Sequence, residues 1–174
     1  MDYFFTEQQQ MIIETAREIT NEKIIPVRAE LDEKNQFPRE ILQDIAKADL
    51  FSIFVPEEYG GFGGGCFEIV LALEELARGC VGVATSFAAS ALGIFPVLIA
   101  GTEEQKQKYM PDIASGARWA AFGLTEANAG SDASGIRTTA VLEGDEWVLN
   151  GTKQWITNGG ESQIYTIVAM TDPS

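Results

Sequence analysis

Apolar residues recur at helical spacing through the first two thirds of the chain and switch to short strand-like runs only in the last third. Ile12, Ala16 and Ile19 fall on one face of a helix that opens with Thr6 and, three residues on, Gln9. That pair can exchange side-chain and main-chain hydrogen bonds at a helix start, and Pro26 then breaks or kinks the run. Pro38 suits the first turn of a second helix carrying Ile41, Leu42, Ile45 and Ala46 on one side, because its fixed φ is helical and its missing N–H would be unpaired there anyway. A third helix is predicted over about 67–78, stopping at Gly79, and Thr102 with Gln105 repeats the capping pattern ahead of a short helix ending near Gly116. From Trp119 onwards "TTAVLEGDEWVLNGTKQWITNG" is punctuated by Gly144-Asp145 and Asn150-Gly151, both hairpin-turn signals, and "IYTIVAM" over 164–170 is a further β-branched run. The expected fold class is α+β: an all-helical N-terminal domain over 1–118, then an antiparallel β domain over 119–174. With some four strands and a final strand that leaves an edge and a face uncovered, the β domain is expected to be incomplete as it stands.

One segment tests the helical assignment. Between Arg78 and Glu103 no residue is charged, and the run is long enough to suggest a membrane helix. Thr85, Ser86, Ser90, Gly93 and Pro96 dilute it, so a buried helix is expected and no membrane span. The net charge of −14 over 174 residues excludes nucleic acid and anionic membrane surfaces as expected partners, because both would repel the chain's average field. With no histidine and two cysteines, His-based metal sites, Ser-His triads and zinc clusters are excluded as well. Cys66 and Cys80 read as unpaired thiols, and residues 1–7 lack the pattern of a secretion signal, so a cytoplasmic location is expected, or the mitochondrial matrix for a eukaryotic chain.

Little else carries chemistry. The run Gly60-Gly61-Phe62-Gly63-Gly64-Gly65 is no dinucleotide fingerprint, since Cys66 falls where the last glycine belongs and no strand precedes it; a flexible connector is expected. Glu57-Glu58, Glu74-Glu75 and Glu103-Glu104 read as solvated, or as favouring helix N-termini. More informative is "GLTEANAGSD" over 123–132, which groups Thr125, Glu126, Asn128, Ser131 and Asp132 around Gly130. It is either a turn closed by its own Asx and Ser contacts or a loop that brings hydroxyls and amides to a polar ligand. "WITN" at 155–158 sets an aromatic plane beside a hydroxyl ahead of Gly159-Gly160, as a stacking surface or as core. Two such clusters in one small β domain predict a ligand cleft.

Taken together, "AFGLTEANAGSDASGI" (121–136), "LNGTKQWITNG" (149–159), "VPEEYGGFGG" (55–64) and "LIAGTEEQKQKYMPDIASG" (98–116) resemble the acyl-CoA dehydrogenase family in order and spacing, across essentially the whole chain. The resemblance implies the N-terminal helical and middle β domains of an FAD enzyme. In that family the catalytic glutamate belongs to a C-terminal helical domain absent from these residues, so no catalytic residue is assigned here, and the 174-residue chain alone is expected to be inactive. The implied reaction takes an acyl-CoA thioester to the trans-2-enoyl-CoA, a base removing the α-proton while a hydride leaves the β-carbon for flavin. Electrons then pass to an electron-transfer flavoprotein, and the full-length form is expected to be a homo-oligomer, a tetramer. An acyl-CoA oxidase, a flavin monooxygenase of the same fold, and a catalytically silent binding or assembly module are the alternatives. Carried over residue by residue, Phe122, Leu124, Thr125, Gly130 and Ser131 form the first FAD segment and Trp155, Ile156 and Thr157 the second. Thr125 and Thr157 would hydrogen-bond the isoalloxazine edge, Trp155 would pack on the ring system, and Ser131 would reach the pyrophosphate and the CoA arm. Ala84, Thr85, Phe87 and Ala88 would line the acyl pocket, with ordinary core packing an equal explanation. Ala127 stands where the family often has proline, and Phe122 where several members have tyrosine.

Overall fold

A computed structural model describes residues 5–172; residues 1–4, which begin the stretch read for a leader, lie outside it. Helix α1 (Glu7–Ile19) opens on the predicted capping pair: Thr6 Oγ1 accepts from the Gln9 amide at 3.2 Å, and Gln9 Oε1 accepts from the Thr6 amide at 3.0 Å. Its apolar face, Ile12, Ile13, Ala16 and Ile19, is buried, and the helix packs on α4 (Cys66–Gly79). The buried Thr20 hydroxyl then donates to the Ala16 carbonyl at 2.7 Å, and the helix widens into a π-turn over Thr20–Ile24. Capture of an i−4 carbonyl by a threonine is an ordinary cause of such a disturbance, so the helix yields before it reaches Pro26. Two further helices follow, α2 (Arg28–Glu33) and α3 (Arg39–Lys47), the latter burying Ile41, Leu42 and Ile45.

Helix α5 (Val81–Ala100) is the charge-free segment, and α6 (Glu103–Ala114) starts on the Thr102–Gln105 capping pair. By length and composition α5 passes the test for a membrane helix, yet 50% of its most apolar window is buried inside the molecule. The fully buried Phe87 ring sits 5.1 Å from that of Phe51 and 5.4 Å from that of Phe54, both from the 3-10 turn Leu50–Phe54. That aromatic knot is the centre of the helical core.

The glycine run departs from expectation. Gly61, Phe62 and Gly63 donate to the carbonyls of Pro56, Ser52 and Val55 at 3.0, 2.8 and 2.9 Å, so the segment is a fastened turn rather than a slack connector. A Cβ on Gly61 would overlap the Val55 carbonyl, which explains why glycine stands there.

In the β part, β2 (Thr139–Glu143) and β3 (Glu146–Asn150) form the antiparallel hairpin predicted around Gly144-Asp145. The expectation of an all-antiparallel sheet needs correcting: β1 (Ala120–Gly123) and β4 (Ile164–Ile167) pair in parallel, Ala120 opposite Ile164 and Gly123 opposite Ile167. Parallel strands need a long crossover, and the connection from β1 to β4 holds both loops singled out above together with the hairpin. Asn150-Gly151 accordingly closes no second hairpin. Across β1 runs α5: a Cβ on Gly93 would lie 2.8 Å from the Ala121 amide, so glycine lets helix and strand touch main chain to side. The Thr166 hydroxyl fixes β4 to the same turn, donating to the Gly93 carbonyl at 2.6 Å.

Candidate functional site

The first loop leaves the end of β1 and folds back at once. Glu126 and Ala129 exchange main-chain hydrogen bonds at 3.0 and 3.1 Å, making a tight turn with Ala127 and Asn128 exposed at its tip. Beyond it, Gly130 and Ser131 are exposed, and nothing lies within 4 Å of where a Cβ on Gly130 would stand. Both readings of "GLTEANAGSD" are thus present in one loop, a self-closed turn over 126–129 and an open stretch after it.

The second segment lies directly against the first. The Gln154 amide donates to the Thr125 carbonyl at 2.8 Å, and Ile156 Cδ1 is 3.8 Å from the position of a Cβ on Gly123. Trp155 is 88% exposed and has φ 58°, a left-handed backbone that a bulky residue adopts only under constraint. That exposure sets aside the core reading among the described residues. Asn158, also left-handed at φ 64°, is buried; its Nδ2 donates to the Ser86 carbonyl at 2.8 Å, and its Oδ1 has no protein partner among the described residues. Phe122, Leu124, Thr125, Ile156 and Thr157 are half-buried, and among the described residues the hydroxyls of Thr125, Thr157 and Ser131 make no hydrogen bond to another protein group.

Glu126 sits at the neck of the loop. Its carboxylate accepts from the Arg137 amide (2.7 Å), the Thr138 amide (2.9 Å) and the Lys153 ammonium (2.7 Å), and the ammonium also donates to the Leu124 carbonyl (2.9 Å). The Lys153 ammonium first, then Thr138 and the Arg137 amide, hold the Glu126 carboxyl down from 4.5 to about 2. A carboxyl depressed by folding contributes stability that is fully present above its ordinary value and is lost as pH falls towards the depressed one. Glu126→Gln is therefore expected to lower the melting temperature at pH 6 and progressively less between pH 4.5 and about 2; a gap between variant and parent that stays constant over that window would contradict this assignment.

On α5 the four residues named from sequence divide. Ala84 and Phe87 are buried in the core, whereas Thr85 is exposed and Ala88 half-exposed. Thr85 and Ala88 belong to a stripe with Val81, Leu92, Phe95 and Ile99, at helical spacing, that the described residues leave largely uncovered. Sequence reasoning gave no role to Lys153 or Leu92, and it quoted Asn158 within "WITN" without assigning it one. Lys153 had a signal: it is the one lysine or arginine after Arg137, in a stretch that holds Glu143, Asp145, Glu146, Glu161 and Asp172.

Two neighbouring segments of this α+β chain thus bring together unpaired hydroxyls, an open glycine and an exposed indole. The sequence matches the acyl-CoA dehydrogenase N-terminal domain over residues 6–117 and the acyl-CoA dehydrogenase middle domain over 121–174, so the chain belongs to the acyl-CoA dehydrogenase family. It is 41% identical over 178 residues to a short-chain-specific acyl-CoA dehydrogenase of Clostridium acetobutylicum, covering 99% of this chain and 46% of that one. A chain in the structure of the electron transferring flavoprotein of Acidaminococcus fermentans superposes with TM-score 0.93 at 43% identity, over 99% of this chain and 46% of that chain. A glutaryl-CoA dehydrogenase of Mycobacterium smegmatis in complex with FADH2 gives 0.90 at 31% identity, over 99% and 45%. The chain thus spans less than half the length of the relatives it matches.

Proposed function

We propose that this chain is the helical and middle β part, residues 1–118 and 119–174, of an FAD-dependent acyl-CoA dehydrogenase that takes an acyl-CoA thioester to its trans-2-enoyl product and passes electrons to an electron-transfer flavoprotein. The observation that carries the reading is the pairing of the two segments through the Gln154 amide and the Thr125 carbonyl, with the Thr125 and Thr157 hydroxyls free and Trp155 presented. FAD bound there supplies a two-electron acceptor. Toward it Thr125 and Thr157 offer hydroxyls to a polar ring edge, Trp155 offers an apolar plane, and Ser131 beside the open Gly130 has room to donate to a phosphate. Phe122, Leu124 and Ile156 are half-buried in the same two segments and complete the proposed lining.

No base is assigned within the chain. Glu126 has its carboxylate filled by two amides and an ammonium and stays ionised, which suits a structural clamp and leaves it no proton to move. For the acyl group, the α5 stripe offers Thr85, Ala88 and Leu92 as a wall, its small residues leaving width and Leu92 narrowing it further along. Tetrameric assembly and a cytoplasmic location complete the proposal. A titration with FAD tests it: the chain should take up flavin and show a structured visible band, and Thr125→Val and Thr157→Val should each weaken binding by about threefold to tenfold, the worth of one neutral hydrogen bond. Chain that emerges folded and flavin-free after incubation with excess FAD would refute the reading.

A further inference from the structure

We infer that Lys153 and Glu126 are positioning residues: strapped across the two loop segments, their ion pair holds the Thr125 edge and the Trp155–Thr157 edge at the spacing that receives the flavin. The inference rests on the FAD reading above and goes beyond it, since neither side chain is itself a flavin contact.

One ammonium ties together groups on both sides of Thr125, the Leu124 carbonyl at 2.9 Å and the Glu126 carboxylate at 2.7 Å. The carboxylate in turn gathers the amides of Arg137 and Thr138, where the loop returns to β2, and so closes the loop at its neck. One residue further on, the Gln154 amide reaches the Thr125 carbonyl. The main chain around Thr125 is thereby fastened, and its hydroxyl is the group left over for a ligand.

The pair is dry, with the Lys153 and Glu126 side chains only 8% and 10% exposed. Desolvation offsets most of the attraction in such a pair, so raw stability is a poor reason for it to be there. An apolar pair of similar volume would fill the space, but it would hold neither the Leu124 carbonyl nor the two amides. What the ion pair supplies is geometry, four donor–acceptor distances set at once. By contrast, the Arg39–Glu161 pair is half-exposed on the surface, and its side chains hydrogen-bond no group of either loop segment; Glu161 meets the second only through its main chain, its amide donating to the Asn158 carbonyl at 3.0 Å.

The test is FAD binding by the full chain, followed by flavin absorbance and fluorescence. Lys153→Met and Glu126→Gln should raise the Kd for FAD by about tenfold or more, the usual consequence of removing the partner that orients a ligand-binding group. At saturating FAD the visible band of Lys153→Met should stay altered in shape, Lys153→Arg should restore much of the affinity, and Glu161→Gln should leave both readouts as in the parent. Lys153→Met that binds FAD with parental Kd and band shape overturns the positioning role while the FAD reading stands. A parent chain that binds no flavin sinks both. Should Lys153→Met fail to fold, hydrogen exchange in the parent decides: slow exchange at the Thr138 and Gln154 amides, slowed further by FAD, supports the clamp, and fast exchange at both removes it.

Discussion

Phe87→Ala is expected to lower the unfolding free energy by about 3–5 kcal/mol, the range for deleting a fully enclosed aromatic ring. The ring is entirely buried and meets two others, Phe51 at 5.1 Å and tilted at 68°, and Phe54 at 5.4 Å. Edge-to-face contacts of this kind add to the burial of area, so losing Phe87 removes both and leaves a void among side chains that cannot collapse into it. Urea denaturation monitored by circular dichroism would read the loss as a lower midpoint with an unchanged slope. The same variant separates the two explanations that sequence left open for this residue. As a core residue it changes stability; as the floor of an acyl pocket it would instead shift the chain-length preference of the holoenzyme at nearly parental stability.

Asn158→Asp is the second large effect, expected at about 3 kcal/mol or more near neutral pH. The Asn158 amide donates to the Ser86 carbonyl at 2.8 Å and lies 3.4 Å from that of Ala120, joining α5, β1 and the 155–158 segment at one buried point. A carboxylate has the same shape but no hydrogen to give, so it would face two carbonyl oxygens as a buried charge. Burial and those oxygens would push the new carboxyl up, above the ordinary aspartate value of about 3.9. A group raised by folding loses its contribution as pH rises, so the penalty should grow with increasing pH and shrink in acid, where a protonated oxygen donates to one carbonyl again. A penalty independent of pH between 4 and 8 would show that the lost contact is not the cause.

What sequence made legible was local. The capping pairs Thr6–Gln9 and Thr102–Gln105 lie three residues apart and answer to nothing outside one turn, and both form as expected. The Gly144-Asp145 hairpin is similar, being decided by the turn itself. Long-range features were not legible. The parallel pairing of β1 with β4 joins residues 120–123 to 164–167, and nothing in either run states the direction of its partner. The order in the glycine run comes from the carbonyls of Ser52, Val55 and Pro56. For α5 the obstacle was different: a helix apolar on all sides carries no periodic contrast, so choosing between Ala84, Thr85, Phe87 and Ala88 needed the neighbours. At the candidate site the hydroxyls and the indole stood out by type, whereas Lys153 became meaningful only once its two acceptors were in place.

The uneven enclosure of α5 gives one helix two kinds of selective pressure. A saturation scan read out as thermal tolerance should oscillate along residues 81–100 with the turn of the helix, intolerant at Val83, Phe87 and Ile94 and permissive at Val81, Thr85 and Ile99. A scan read out as self-adhesion or surface stickiness should oscillate in antiphase, since polar replacements along the uncovered stripe remove exposed hydrocarbon without opening the core. Two experiments on the same twenty positions would thus draw the helix twice, once from inside the molecule and once from outside.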